Sequence, residues 1–364
     1  MTSSTPSTMD AVLYVDEGPG LERRVLATRQ GLAFRFEMKR IWSKDVRARI
    51  GDIYLARVKT LDAGGEGIFV DIGAQGDAYV RRKSGWSPSE GSLICVEIVA
   101  EAQGGKAPVA TRADPPSGSR LPEAPELIVA SRRDAFLSGV AVTESVTGIA
   151  AAEFADAAED DILSPAAALP GGGGVCIEQT RAMVTVDVDA GGRRSGGDRS
   201  RFAMATNLEA GREIARRLSL KGMGGLVAID FLKMKRPEDR RTAAAEFSEQ
   251  LRLFYGRKNE VGEISRFGVL ECAIARKQTP ALEQLKSQSE VERAALRALG
   301  RLQRCAEQDR AAFLTLSVGP AVHEWLHSAY GDWSADLSAR WGARFRLREQ
   351  TDLAAGSEQV DFRQ

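Results

Sequence analysis

The chain has 364 residues, 43% of them hydrophobic, and its fifty lysines and arginines balance fifty aspartates and glutamates. That length exceeds the roughly 100 to 200 residues of one domain, so two or three compact units are expected. Zero net charge leaves whole-molecule electrostatics silent on a polyanionic partner, so any basic surface must be local. No stretch approaches the roughly 18 apolar residues of a membrane span.

The first ten residues are polar and lead into a short alternating run, without the charged start and long apolar core of a secretion signal. From Val12 to Lys39, AVLYV, RRVLATR and LAFRFEMKR alternate apolar and polar residues between Gly-containing breaks, which predicts a small antiparallel meander. GDIYLARVKTLDAGGEGIFVDIGAQGDAYV, then SLICVEIVAE and APVATR, supply five short strands in about 65 residues, a rhythm suited to a small closed barrel such as an OB fold. ADPPSGSRLPEAPE reads as a linker, AAEFADAAEDDI as an acid-rich stretch and LPGGGG as flexible, and residues 113 to 174 carry the weakest pattern.

Beyond them, VCIEQTRAMVTVDVD reads as strand and TNLEAGREIARRLSLKGMGG as a helix with Thr206 or Asn207 as its N-cap. GLVAIDF reads as a buried strand, EDRRTAAAEFSEQLRLFYGR as an amphipathic helix and ISRFGVLECAIAR as a further strand, which together have the rhythm of an α/β layer. The tail from Pro280 shows two helical stretches and a short strand, RFRLRE. Cys95, Cys176, Cys272 and Cys305 have no CxxC spacing and read as buried free thiols of a reducing compartment, so a cytoplasmic location is expected.

In Val184 to Asp189 the alternation puts Thr185, Asp187 and Asp189 on one strand face. Asp230 ends the next apolar strand, where ligand sites of open α/β sheets lie. If the helix between them is a crossover, Asp187 and Asp230 converge. Hard oxygen ligands of this kind suit Mg²⁺, which can activate water and neutralise a phosphodiester without histidine, of which the chain has two. The same residues also fit a solvated strand face with Asp230 capping a turn, and spacing alone does not choose.

IEQTRAMVTVDVDAG, TNLEAGREIARRLSLKGMGGLVAIDF and ISRFGVLECAIARK resemble, in order and spacing, the DNase I-like catalytic subdomain of the ribonuclease E/G family over about 100 residues. GDIYLARVKTLDAGGEGIFVDIGAQGDAYV resembles that family's OB-type RNA-binding domain of the ribosomal S-one kind, and RRVLATRQGLAFRFEMKR resembles the first piece of its RNase H-like subdomain. The resemblance implies an α/β multidomain protein: an OB-fold barrel (45–112) inserted in an RNase H-like subdomain (1–44 and, with a linker, 113–180). A DNase I-like catalytic subdomain (181–280) and a small C-terminal α+β domain (281–364) would follow.

It implies a Mg²⁺-dependent endoribonuclease acting on single-stranded RNA, with Asp187 and Asp230 holding the metal and Arg257 a basic residue near the active centre. Phe69 and Tyr79 match positions on which bases stack, and Lys106 matches a lysine on the RNA backbone. Residue by residue the ordinary alternatives are barrel core, a loop charge and a helix-terminal charge. Two basic clusters are further candidates for RNA contact: Arg35, Lys39, Arg40, Lys44, Arg47 and Arg49, and then Arg193, Arg194, Arg199 and Arg201.

Several departures qualify the carry-over. Asp189 stands where the family usually has Asn, which makes it a further candidate ligand, and Lys233 replaces a common carboxylate. The zinc-link motif expected after Lys277 is absent, so a zinc-linked dimer is not expected, while the resemblance of the tail allows a homo-oligomer through the small C-terminal domain. About 60 residues separate the barrel from Ile177, too few for both the RNase H-like remainder and a full 5′-end sensor. These departures keep open a relative that binds RNA with weak or no hydrolysis. His323-Glu324-Trp325-Leu326-His327 matches the zinc-protease pattern HExxH, but only 37 residues follow and the extended form is missing.

Overall fold

Interleaved apolar and polar residues build the first sheet, as the sequence suggests. The structure is a computed structural model and describes residues 9–41, 47–61, 66–82, 86, 88–115, 122–131, 134–192, 199–256, 259–328, 332–354 and 357–363. Strands β1 (Met9–Gly18), β2 (Leu21–Ala27) and β3 (Ala33–Arg40) form the antiparallel meander. The chain divides into two compact units: Met1–Ser43, Gly139–Ile274 and Gln284–Gln364 form one, and Lys44–Ser138 with Ala275–Glu283 form the other.

The second unit holds the barrel of β4 (Ile53–Leu61), β5 (Gly67–Asp71), β6 (Asp77–Arg81), β7 (Leu93–Ala100) and β8 (Val109–Arg112). Their order, β5-β6-β8-β7-β4, is closed by pairing of β4 with β5. This closed five-stranded barrel is consistent with an OB fold. Alternate residues fill it, including Tyr54, Val58, Ile68, Val70, Val80, Val96 and Ile98. A further strand, β9 (Glu126–Val129), pairs with β4, so part of the expected linker is ordered sheet.

In the first unit, β10 (Val140–Thr147) runs parallel to β1 and leads into helix α1 (Ile149–Leu163). This is the stretch read as acid-rich and patternless. Ala151, Ala155, Ala158 and Ile162 recur at helical spacing and are buried, while Asp156, Glu159, Asp160 and Asp161 take structural partners. Arg23, only 4% exposed, is held by Asp16 at 2.6 Å, Asp156 at 2.7 Å and Glu159 at 2.9 Å, tying β2 to α1. Removing one side of such a buried pair costs about 3 to 5 kcal/mol.

At the C-terminal end of α1, Lys221 donates to the carbonyls of Ile162, Ser164 (2.7 Å) and Asp161 (3.3 Å), and Arg217 donates to those of Asp161 (2.7 Å) and Ser164 (2.9 Å). Two cations thereby satisfy carbonyls that the helix end leaves orphaned. The LPGGGG segment is a tight turn rather than a flexible tail. Leu169 N donates to Gly173 O at 3.0 Å, and Gly172 and Gly173 take positive φ.

The six-stranded sheet has the order β11-β12-β13-β14-β16-β15. Its members are β11 (Ala166–Ala168), β12 (Gly174–Gln179), β13 (Val184–Asp189), β14 (Gly225–Asp230), β15 (Asn259–Val261) and β16 (Val269–Ile274). The run expected to be one strand, VCIEQTRAMVTVDVD, is the hairpin β12–β13, reversed at Thr180, whose hydroxyl accepts from Met183 N at 3.1 Å. Helix α2 (Arg199–Lys221) connects β13 to the parallel β14, and α3 (Pro237–Tyr255) follows. α2 therefore starts before the expected caps, and Thr206 and Asn207 lie inside it, 0% and 1% exposed.

After α4 (Ala281–Lys286), helix α5 (Glu290–Gln308) is capped by Ser289 and packs on β17 (Phe313–Val318). Helices α6 (Pro320–Ser328) and α7 (Trp333–Trp341) and strands β18 (Phe345–Glu349) and β19 (Gln359–Arg363) complete a small α+β layer with β17 central. The tail thus holds more regular structure than its sequence pattern announces. Among the described residues no helix is long and apolar enough to cross a membrane.

Candidate active site

The alternation of β13 places Val184, Val186 and Val188 on the buried face of the sheet, with Asp187 and Asp189 exposed on the other. On β14, Val227 and Ile229 are buried and Asp230 is exposed. GLVAIDF is thus buried on one face only, with Leu226 45% exposed. The decisive fact is register: β13 and β14 are parallel, and Asp187 is the Cα partner of Asp230. In-register neighbours on adjacent strands lie about 4.8 Å apart with side chains on the same face. Two carboxylates are therefore juxtaposed at the C-terminal ends of two strands, on an open sheet face.

The same rung continues to Cys176 on β12 and Val269 on β16. Cys176 is half-buried, as is Cys305, against the reading of four buried thiols, while Cys95 and Cys272 are buried as expected. Burial pushes the Cys272 thiol up to about 12. Asp189 is one step further along the open face, and its carboxylate accepts from Gly191 N at 2.9 Å, closing the turn after β13. Among the described residues no group of three or more metal-binding side chains occurs. A paired carboxylate is a donor set that fits Mg²⁺, which binds through one or two carboxylates and retains several waters.

Two residues that the sequence reading missed hold Asp230 in place. Asn207 donates through Nδ2 to Leu232 O at 2.8 Å and accepts from Leu232 N at 2.9 Å, so a buried amide clamps the backbone just beyond the aspartate. The signal was present: Ala203, Asn207, Ala210 and Ile214 share one helical face once the helix extends back past Thr206. Gly268, at φ +102°, receives Phe231 N on its carbonyl at 3.1 Å. A Cβ there would meet Phe231 O at 2.7 Å and Asp230 Oδ1 at 3.6 Å, so the approach requires glycine.

Phe69 and Tyr79 are cross-strand partners on β5 and β6, with ring centroids 5.3 Å apart. Both are half-buried and stand outside the barrel's apolar interior, and the Tyr79 ring covers Gly67. Lys106 is exposed in a tight turn bridged to Gln103, three residues before Val109, the partner of Tyr79 on β8. Arg257, Lys44, Arg193 and Arg194 lie outside the described residues. The first basic cluster is partly structural: Arg35 donates to Phe254 O at 3.1 Å and Arg40 to Glu292 at 3.3 Å, and burial lowers the Arg35 pKa. The HExxH pair sits on α6 with ring centroids 4.5 Å apart, and His323 Nδ1 is 3.4 Å from a carboxylate oxygen of Glu349.

Fold and site define a mixed α/β protein with a closed five-stranded barrel and a separate sheet ending in paired carboxylates. Residues 140–279, which contain that sheet, match the family model described as Ribonuclease E/G family. Ribonuclease E of Escherichia coli (strain K12) is 39% identical over 105 residues, 29% of this chain and 10% of that protein. Ribonuclease E of Nostoc sp. is 31% identical over 116 residues, 32% of this chain and 17% of the relative. A chloroplastic ribonuclease E/G-like protein of Arabidopsis thaliana is 33% identical over 114 residues, 31% and 11%. Over residues 140–279 this chain is similar to the ribonuclease E/G family, and the matched segment spans about a tenth of the Escherichia coli enzyme.

Proposed function

We propose that this protein is a Mg²⁺-dependent endoribonuclease that cleaves single-stranded RNA in the cytoplasm. The observation that carries the proposal is the pairing of Asp187 with Asp230 across two parallel strands inside the family-matched segment. Asp187 and Asp230 hold the ion, with Asp189 as a further carboxylate on the same face. When bound, Mg²⁺ supplies Lewis acidity toward water and the phosphodiester, with products ending in 5′-phosphate and 3′-hydroxyl. In the barrel, Phe69 and Tyr79 offer ring faces for unpaired bases, worth about 1 to 3 kcal/mol per base. Lys106 and Arg257 steady backbone phosphates. The meander with β10 and α1 supports assignment to an RNase H-like subdomain. The C-terminal layer supports assignment to the small domain through which copies of the chain associate.

One observation favours a second reading, RNA binding with little hydrolysis: Lys233, exposed three residues past Asp230, brings positive charge toward the metal-holding end of β14. Incubating the full chain with an end-labelled unstructured RNA in Mg²⁺ or in EDTA decides between them. Cleavage in Mg²⁺ alone, lost by at least a factor of about 1,000 in Asp187→Asn and Asp230→Asn with RNA affinity retained, is the expected result. Binding without cleavage by the wild type establishes the second reading.

A further inference from the structure

Beyond the carboxylate rung, the same unit contains a cavity of about 350 Å³. Ser200, Arg201, Met204 and Leu208 of α2 line it together with Arg236 and Asp239 at the start of α3. Asn207, beside Leu208 on α2, is hydrogen-bonded to Leu232, two residues past Asp230, so the α2 wall of the cavity adjoins the chain leaving β14. The volume falls at the lower end of the range of small-ligand pockets, roughly 300 to 1,000 Å³, which suits a single nucleotide.

The lining is divided by chemistry. Met204 and Leu208, one helical turn apart and half-buried, give a polarisable apolar floor suited to the face of a base. Arg201 and Arg236 are exposed at the rim, two guanidinium groups able to fork onto phosphate oxygens, and Ser200 adds a hydroxyl. Asp239, half-buried, contributes an acceptor, so the cavity's formal charge is positive by one. An acceptor beside a base floor selects exocyclic amino groups, as carboxylates do at cytosine N4.

The geometry points to a subsite for one nucleotide of the RNA chain next to the scissile bond. Its base lies on Met204 and Leu208, its phosphate on Arg201 and Arg236, and Asp239 selects an amino-bearing base over uracil. This inference rests on the nuclease reading for its substrate, and its test is a binding measurement that needs no hydrolysis.

Fluorescence anisotropy of the full chain in EDTA with labelled oligocytidylate and oligouridylate decamers provides that test. The wild type is expected to bind the cytidine decamer at least about fivefold tighter, and Asp239→Ala to abolish the difference. The double variant Arg201→Ala/Arg236→Ala should weaken binding to both decamers and flatten the dependence of log Kd on log salt by about one. Equal affinity of the wild type for both decamers, a preference that survives Asp239→Ala, or a double variant with unchanged Kd and salt slope would each overturn the subsite. If these binding shifts appear but the wild type does not cut RNA in Mg²⁺, the nuclease reading falls and the subsite stands. If the wild type binds neither decamer, the subsite falls.

Discussion

Substituting Asn207 by alanine tests how the fold sets the end of β14. The side chain is 1% exposed and satisfies both the N–H and the carbonyl of Leu232, at 2.9 and 2.8 Å. Alanine leaves the N–H and carbonyl of the half-buried Leu232 without this partner; each would cost about 1 to 3 kcal/mol if shut off from water, so with partial solvent access the loss is roughly 1 to 4 kcal/mol. Asn207→Asp does not restore it, because a carboxylate can accept from Leu232 N but faces Leu232 O with a second acceptor. Urea unfolding followed by far-ultraviolet circular dichroism gives the stability, and Mg²⁺-dependent cleavage below the unfolding range reports on the position of Asp230. We expect both to fall in both variants. A change in stability under about 0.5 kcal/mol for Asn207→Ala would refute the clamp, and a destabilised variant that cuts at the wild-type rate would refute its link to Asp230.

Three other outcomes follow from neighbouring contacts. Gly268→Ala should reduce cleavage at least about tenfold, since its Cβ would press on Phe231 O from a backbone conformation L-residues rarely adopt; an active, stable variant would disprove the tight approach. Phe69→Ala and Tyr79→Ala should each weaken binding of an unstructured RNA about 5- to 100-fold by anisotropy while the barrel stays folded, because neither ring belongs to its interior. Burial, with Arg217 nearby, lowers the Lys221 pKa from 10.5 to about 8. Between those values the unfolded chain binds the extra proton, so this group's contribution to stability rises with pH, by on the order of 3 kcal/mol in full. Unfolding of wild type and Lys221→Met should therefore diverge in the wild type's favour from pH 8 to 10.5, and parallel curves would contradict the assignment.

Much of the site was legible because period-two alternation needs no tertiary information. Val184 to Asp189 names its own buried and open faces, and Asp230 declares itself as the lone charge ending an apolar run. The register that pairs it with Asp187 was legible only as a condition, since it depends on the crossover helix. Local pattern failed where partners are distant. The alanines of α1 look like low-complexity sequence until β1 and β2 cover them, and its acids look solvated until Arg23 and Arg297 meet them. Asn207 was misread as a cap because Asn suits that role locally, while the helix in fact runs back to Arg199. The HExxH match shows the converse failure, in which a short motif supplies residue types that join no group of three metal-binding side chains among the described residues.

Divalent-ion binding by the full chain is the most direct test of the account, with Mn²⁺ as a spectroscopic stand-in for Mg²⁺ titrated under electron paramagnetic resonance. One competitively Mg²⁺-displaced ion per chain should bind to the wild type, with Asp187→Asn and Asp230→Asn each abolishing it. Retention of that ion at wild-type affinity in either single variant would show that the two side chains do not share it.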